Sequence, residues 1–199
     1  MGRAWRGIWL LLMMAACARV PGQEVPDVRT PLVVVSEMLR LGAVTADDVV
    51  YDLGSGDGRI VIAAARDRGA RGVGFEIDPA LVAQAVERAR RLGLADRVTF
   101  RQDDLFQADL REATVVTLYL SPDLNHRLRP KLLSELRPGS RVVSHSFDMG
   151  DWAPTRTLQV TSNEGTHTIL PVGGGRKAVE AGPPHPALSP LGRGRGRRG

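Results

Sequence analysis

The ten residues Tyr51 to Ile60, YDLGSGDGRI, decide the fold. Gly54, Gly56 and Gly58 alternate behind a strand-like run (Val49, Val50, Tyr51) and ahead of a helix-like run from Ile60 to Arg68. A glycine-rich turn between strand and helix brings backbone close to a ligand, because no Cβ stands in the way. Nicotinamide dinucleotides, nucleoside triphosphates and S-adenosylmethionine (SAM) are all held on such turns. The residues around the glycines have to discriminate.

Outward from the loop, strand and helix patterns alternate. Strands are expected at 49–53, 72–76, 98–101, 114–120 and 140–145, and helices at 31–41, 59–68, 79–92 and 124–136. Thr30-Pro31 opens the first helix, with Pro31 suited to a first turn. The 79–92 helix carries Leu81, Val82, Ala85, Val86 and Ala89 on one face; Asp78 caps it, Pro79 takes its first position and Gly93 ends it. Two further strand-like runs, 156–161 and 166–171, are joined by Asn163-Glu164-Gly165, a hairpin turn. Five strands alternating with helices predict an α/β, Rossmann-like, doubly wound and mostly parallel sheet. The C-terminal antiparallel hairpin makes it seven-stranded.

The 199-residue chain has a net charge of +5, which first suggests a nucleic-acid binder. The charge belongs to the ends. Residues 176–199 carry six bases and one acid, residues 1–24 three bases and one acid, and the stretch between them 18 bases and 20 acids. No nucleic-acid partner is expected from that acidic middle. Arg3 and Arg6 precede the uncharged run Gly7 to Ala18, which matches a signal peptide and is too short to span a bilayer. Met14-Ala-Ala-Cys17 resembles a lipobox, so 1–24 is expected to be a leader, with membrane association through it or through a lipidated Cys17. A start at Met13 or Met14, which would delete Arg3 and Arg6, or inefficient export would leave the chain cytoplasmic. The Pro/Gly/Arg-rich residues 173–199 are expected to be a disordered tail, leaving 25–172 as one domain. With Cys17 the only cysteine, neither a disulfide framework nor a metal site is expected.

In doubly wound sheets ligands bind beyond the carboxyl ends of the strands. Those ends bring together Asp52 to Gly58, Glu76, Asp103-Asp104-Leu105, Tyr119 and His145. A dinucleotide fingerprint wants glycine or alanine where Arg59 stands, and a P-loop wants a Lys-Ser/Thr pair that does not follow. Asp52 and Asp57 flank the loop, and each would oppose a pyrophosphate by roughly 1–4 kcal/mol at about 4 Å. SAM has no phosphate and carries two cationic centres, so acidic flanks favour it. Glu76, eighteen residues past Gly58, can accept from both ribose hydroxyls, and Asp104 from the adenine amino group.

On "DLGSGDG" (52–58), "GFEID" (74–78) and "RQDDLF" (101–106), the sequence resembles the class I, seven-β-strand SAM-dependent methyltransferases. With "TPLVVVSEML", "ATVVTLYLSPDLN" and "RPKLLSELRPGSRVVSH" it is similar to the small protein-lysine methyltransferases: archaeal broad-specificity enzymes and the mitochondrial ATP synthase c-subunit enzyme. The resemblance covers about residues 25–160. It implies SAM as cofactor, held by Asp52, Gly54, Ser55, Gly56, Gly58, Glu76, Asp104 and Leu105, and a protein lysine as acceptor. The chain departs from the family in "VPDVRTP", which lacks an aromatic, and in its last strand.

Methyl transfer is an in-line displacement, so positioning supplies most of the acceleration. A lysine amine must first be neutral, and an apolar channel lowers its pKa. Tyr119 is the best candidate to line that channel, by its hydroxyl or by ring contact with a cation. Asn125 is a candidate to bond the amine or to cap the 124–136 helix, and His145 to contact substrate or accept a proton; each also fits a structural role. Phe147 and Trp152 are candidate walls or core residues, and His126 and His167 read as structural. Two alternatives stay open: a non-catalytic exported lipoprotein that binds SAM or a nucleoside, and a nicotinamide-dependent oxidoreductase.

Overall fold

A computed structural model of the chain describes residues 29–173. The expected leader with Cys17, Asp27, and nearly all of the expected tail lie outside the described residues. The elements are α1 (Leu32–Leu41), β1 (Val49–Leu53), α2 (Arg59–Arg68), β2 (Arg71–Glu76), α3 (Pro79–Arg91), β3 (Val98–Gln102), β4 (Val115–Leu118), α4 (Pro122–Glu135), β5 (Arg141–His145), β6 (Leu158–Ser162) and β7 (Gly165–Gly173). They form one seven-stranded sheet in the order β3-β2-β1-β4-β5-β7-β6. The pairs from β3 through β5 are parallel, whereas β7 is antiparallel to both β5 and β6. This is the seven-stranded, doubly wound architecture expected from the pattern. The hairpin runs back, so β7, the last described strand, sits inside the sheet and β6 forms its edge.

Helices cover both faces, so the parallel strands are apolar on both sides. Successive residues of β1 serve different layers: Val50 packs with α1 and α2, whereas Tyr51 and Leu53 pack with Leu128 and Leu132 of α4. Asp78 caps α3 as its pattern implied, its side chain accepting from the Ala80 N–H at 2.7 Å.

Several boundaries differ from expectation, four of them informatively. β4 stops at Leu118, and Tyr119 and Leu120 leave the ladder to line a cleft. α4 starts earlier, at Pro122, whose missing N–H is harmless at a first helical position. β6 begins at Leu158, and β7 opens at Gly165 directly opposite Ser162, so the turn itself is Asn163-Glu164.

Strand order reverses between β1 and β4, the topological switch point, and the main cleft opens there beyond the strand ends.

Candidate active site

The cleft holds about 370 Å³, within the range of small-ligand and cofactor sites. β1 delivers the glycine loop into it. The Gly54 and Ser55 N–H groups both donate to the Phe75 carbonyl at 2.9 Å, which holds the loop against β2. Gly56, which lines the cleft, has φ +51, and a Cβ there would meet nothing within 4 Å. Gly58 is different: at φ +74 it caps α2, and a Cβ would lie 2.4 Å from the Phe100 ring. One glycine keeps space for a ligand; the other lets strand and helix close up.

Glu76, at the end of β2, ties this region together. Its Oε2 accepts from the Gly56 N–H at 2.9 Å, and its Oε1 from the Ile77 and Asp78 N–H groups at 2.8 and 3.0 Å. The same carboxylate lines the cleft, so it shapes the loop and faces the ligand. Asp104 also lines it, and its Oδ1 takes the Phe106 N–H at 2.9 Å, bracing the turn that presents Leu105 and Phe106.

Asp52 is 2% exposed yet lines the cleft, paired across the strands with Thr117, whose Oγ1 donates to Asp52 Oδ1 at 2.7 Å. Burial pushes the Asp52 carboxyl up to about 7; the Thr117 hydrogen bond opposes the rise and the Glu76 and Asp57 charges add to it. Asp57 corrects the sequence reading. Burial alone would raise it, but hydrogen bonds and charge from Arg59, with Arg88 at 2.8 Å, hold it below the usual carboxylate range. Its charge is offset by two guanidinium groups. The electrostatic preference against a pyrophosphate therefore rests on Glu76, with Asp52 adding to it only where it is ionised.

Of the three candidate catalytic residues, only Tyr119 lines the cleft. Asn125 is fully buried inside α4 and does not cap it, since the N-cap is Ser121. Its Nδ2 donates instead to Ser144 Oγ and to the Phe147 and Asp148 carbonyls, at 3.1–3.3 Å. It fastens the loop after β5 to α4. His145 is fully buried behind Tyr119, ring centroids 3.9 Å apart, and is out of reach of a substrate. Phe147 stacks with Tyr119, ring centroids 6.3 Å apart, while Trp152 donates its Nε1–H to the Gly173 carbonyl.

Thr30 and Thr117 were not singled out by the sequence. Thr117 carried a signal, a lone hydroxyl in the apolar strand Val115-Val-Thr-Leu118, which has to find a buried partner. Thr30 read as part of a helix start, yet its Oγ1 makes no cap and lies 3.2 Å from His145 Nδ1.

Cleft, glycine loop and carboxylates at the reversal of a seven-stranded sheet define the class, a SAM-dependent methyltransferase. Residues 52–156 match the model of the ANTKMT methyltransferase domain, and the chain belongs to that family. It is 42% identical over 147 residues to a protein-lysine N-methyltransferase of Saccharolobus islandicus, covering 73% of this chain and 91% of that protein. It is 36% identical over 169 residues to the mouse adenine nucleotide translocase lysine N-methyltransferase, covering 84% of this chain and 72% of that one. A solved structure described as an RNA methyltransferase from Salinibacter ruber, bound to S-adenosyl-L-homocysteine, is 55% identical with TM-score 0.72; the match covers 77% of this chain and 98% of that one.

The cofactor is SAM, and the cleft fits it. There is open space above Gly56, the acids Asp52, Glu76 and Asp104 border it, and Ile77, Leu81, Leu105 and Phe106 offer apolar faces.

Proposed function

We propose that this protein transfers methyl groups from SAM to the side-chain amine of protein lysines. The observation that carries the reading is Tyr119: an aromatic ring on the cleft wall, backed by His145 and Phe147, beside the cofactor-binding loop. A ring face attracts an alkylammonium and its apolar surroundings favour the neutral amine. The relatives named as lysine methyltransferases support the same acceptor.

SAM supplies an electrophilic methyl on a sulfonium. Glu76 and Asp104 stand where they would hold its ribose and adenine, Asp52 where it would meet the cationic amino-acid end, and the glycine loop leaves the close approach open. Tyr119 and Leu124 confine the acceptor chain to one approach, so that little motion separates bound from reacting geometry.

The Salinibacter structure's description makes RNA the acceptor to exclude. The full chain, given labelled SAM, is incubated with RNA-free total cell protein and, separately, with protein-free total RNA. Methyllysine in the hydrolysed protein is the expected product. Label confined to the RNA would overturn the proposal.

A further inference from the structure

We propose that Thr30, His145, His167 and Ser162 form a proton exit, which carries the proton of an acceptor ammonium from the cleft to solvent at the β6–β7 hairpin. The inference rests on the lysine reading above. An amine enters as an ammonium and must be neutral to form the new N–CH3 bond as the S–CH3 bond breaks, so each methyl transferred releases one proton.

The row is continuous. Thr30, at the cleft, has its Oγ1 3.2 Å from His145 Nδ1. His145 Nε2 lies 3.0 Å from His167 Nδ1, and His167 Nε2 lies 2.9 Å from Ser162 Oγ. Exposure rises along it, from buried Thr30 and His145 to half-buried His167 and Ser162. Both nitrogens of both imidazoles are used, and an imidazole can take a proton on one nitrogen while releasing one from the other. Thr30 passes its hydroxyl proton to His145 Nδ1 while taking one from the ammonium. His145 Nε2–H then passes to His167 Nδ1, His167 Nε2–H to Ser162, and Ser162 releases a proton to water. Once product has left the open cleft, the same hops run backwards between bulk water at both ends and restore the tautomers.

The surroundings keep His145 neutral. His145 is packed by Thr30 ahead of α1, Tyr119 after β4 and His167 of β7; burial, then the His167 charge, hold its pKa down to about 4, without any carboxylate or guanidinium contribution. On the Thr30 side Arg59 donates to the Thr30 carbonyl at 2.8 Å and is itself bound to Asp57. On the far side the Glu164 N–H donates to Ser162 Oγ at 3.0 Å, leaving that oxygen a second lone pair for His167. Thr30 is the one member that meets substrate; the histidines and Ser162 are positioning residues acting through it.

The test is a pH profile of single-turnover methyllysine formation, with saturating SAM and the RNA-free total cell protein. Thr30→Val and His145→Gln should each be about tenfold slower than the parent at pH 7. They should come within about twofold near pH 9.5, where solvent hydroxide removes a lysine proton more readily. Thr30→Ser, which restores the hydroxyl, should restore the rate. Equal losses at every pH, or no loss at pH 7 in folded variants, would overturn the exit. A parent that forms no methyllysine would sink the lysine reading as well. Nitrogen-15 spectra of labelled histidine give a readout independent of turnover: His145 should stay neutral at pH 6, and a charged imidazolium there would also overturn the proposal.

Discussion

On the β1–β2–β3 side of the cleft the acids Asp52, Glu76 and Asp104 stand at or just beyond the strand ends and line the cavity. On the β4–β5–β7 side Asn125, Ser144 and His145 are buried and none lines the cleft: Asn125 bonds Ser144, and His145 bonds Thr30 and His167. The first side recognises a polar, charged molecule directly. The second presents an aromatic and apolar surface and keeps its hydrogen bonds for holding that surface in place. Binding and rate should therefore separate by side, and substitutions can break or sharpen the division.

The largest expected effect is at Gly58. Gly58→Val forces a β-branched side chain into φ +74 with its Cβ 2.4 Å from Phe100, which should cost about 3 kcal/mol or more and loosen the loop with the fold. Gly56→Val should cost only about 1–2 kcal/mol, since its side chain enters open space, but should abolish SAM binding. Denaturant titration with calorimetry checks both. A Gly58 variant as stable as the parent, or a Gly56 variant that binds SAM normally, breaks the assignment.

Glu76→Ala comes next. It removes an acceptor from the ligand and from the Gly56 N–H together, so SAM should bind at least about tenfold more weakly with the circular dichroism spectrum intact. Unchanged affinity would remove Glu76 from the cofactor site.

Asp52 gives the cofactor side a pH dependence with a definite sign. Its folded pKa, about 7, exceeds the ordinary 3.8, so its contribution to the stability of the SAM-free protein is full below about pH 4 and is lost as pH rises to 7. SAM affinity should run the other way, strengthening up to about tenfold per unit towards pH 7 if the carboxylate must be ionised to meet a cation. Asp52→Asn should flatten both slopes. Affinity that is flat from pH 5.5 to 8 in the parent would count against the contact.

Asn125→Ala, the smallest effect, probes the other side. Losing the donors that hold Ser144 and the carbonyls of Phe147 and Asp148 should cost about 1–3 kcal/mol and slow methyl transfer. SAM affinity should stay within about twofold. A large loss of affinity would show that the sides are not independent.

The same division explains what the sequence could disclose. The glycine loop, Glu76 and Asp104 were legible because ligand-facing groups at strand ends are local: a strand, a turn and an acid a fixed distance on. The Rossmann-like sheet was legible for the same reason, from alternating periods. Asn125 and His145 were found as polar residues in the right places, but their direction was not, because side-chain direction depends on which element packs behind them. Asp57 misled because its charge is taken up by two arginines: Arg59, only two residues on, and Arg88, 31 residues away and brought near only by folding. The partnership of His145 with His167 required knowing that β7 lies against β5, and no local pattern specifies strand order.

One separation has a consequence for how the enzyme is made. Thr30 meets His145 across 115 residues, and His167 joins them from the last described strand. The cofactor loop, Glu76 and Asp104 are all synthesised before residue 105, whereas the wall on the acceptor side closes only when a segment made first meets one made last. Such distant pairings close slowly. Until β7 has paired with β5, His145 lacks its His167 partner and the acceptor-side wall is incomplete.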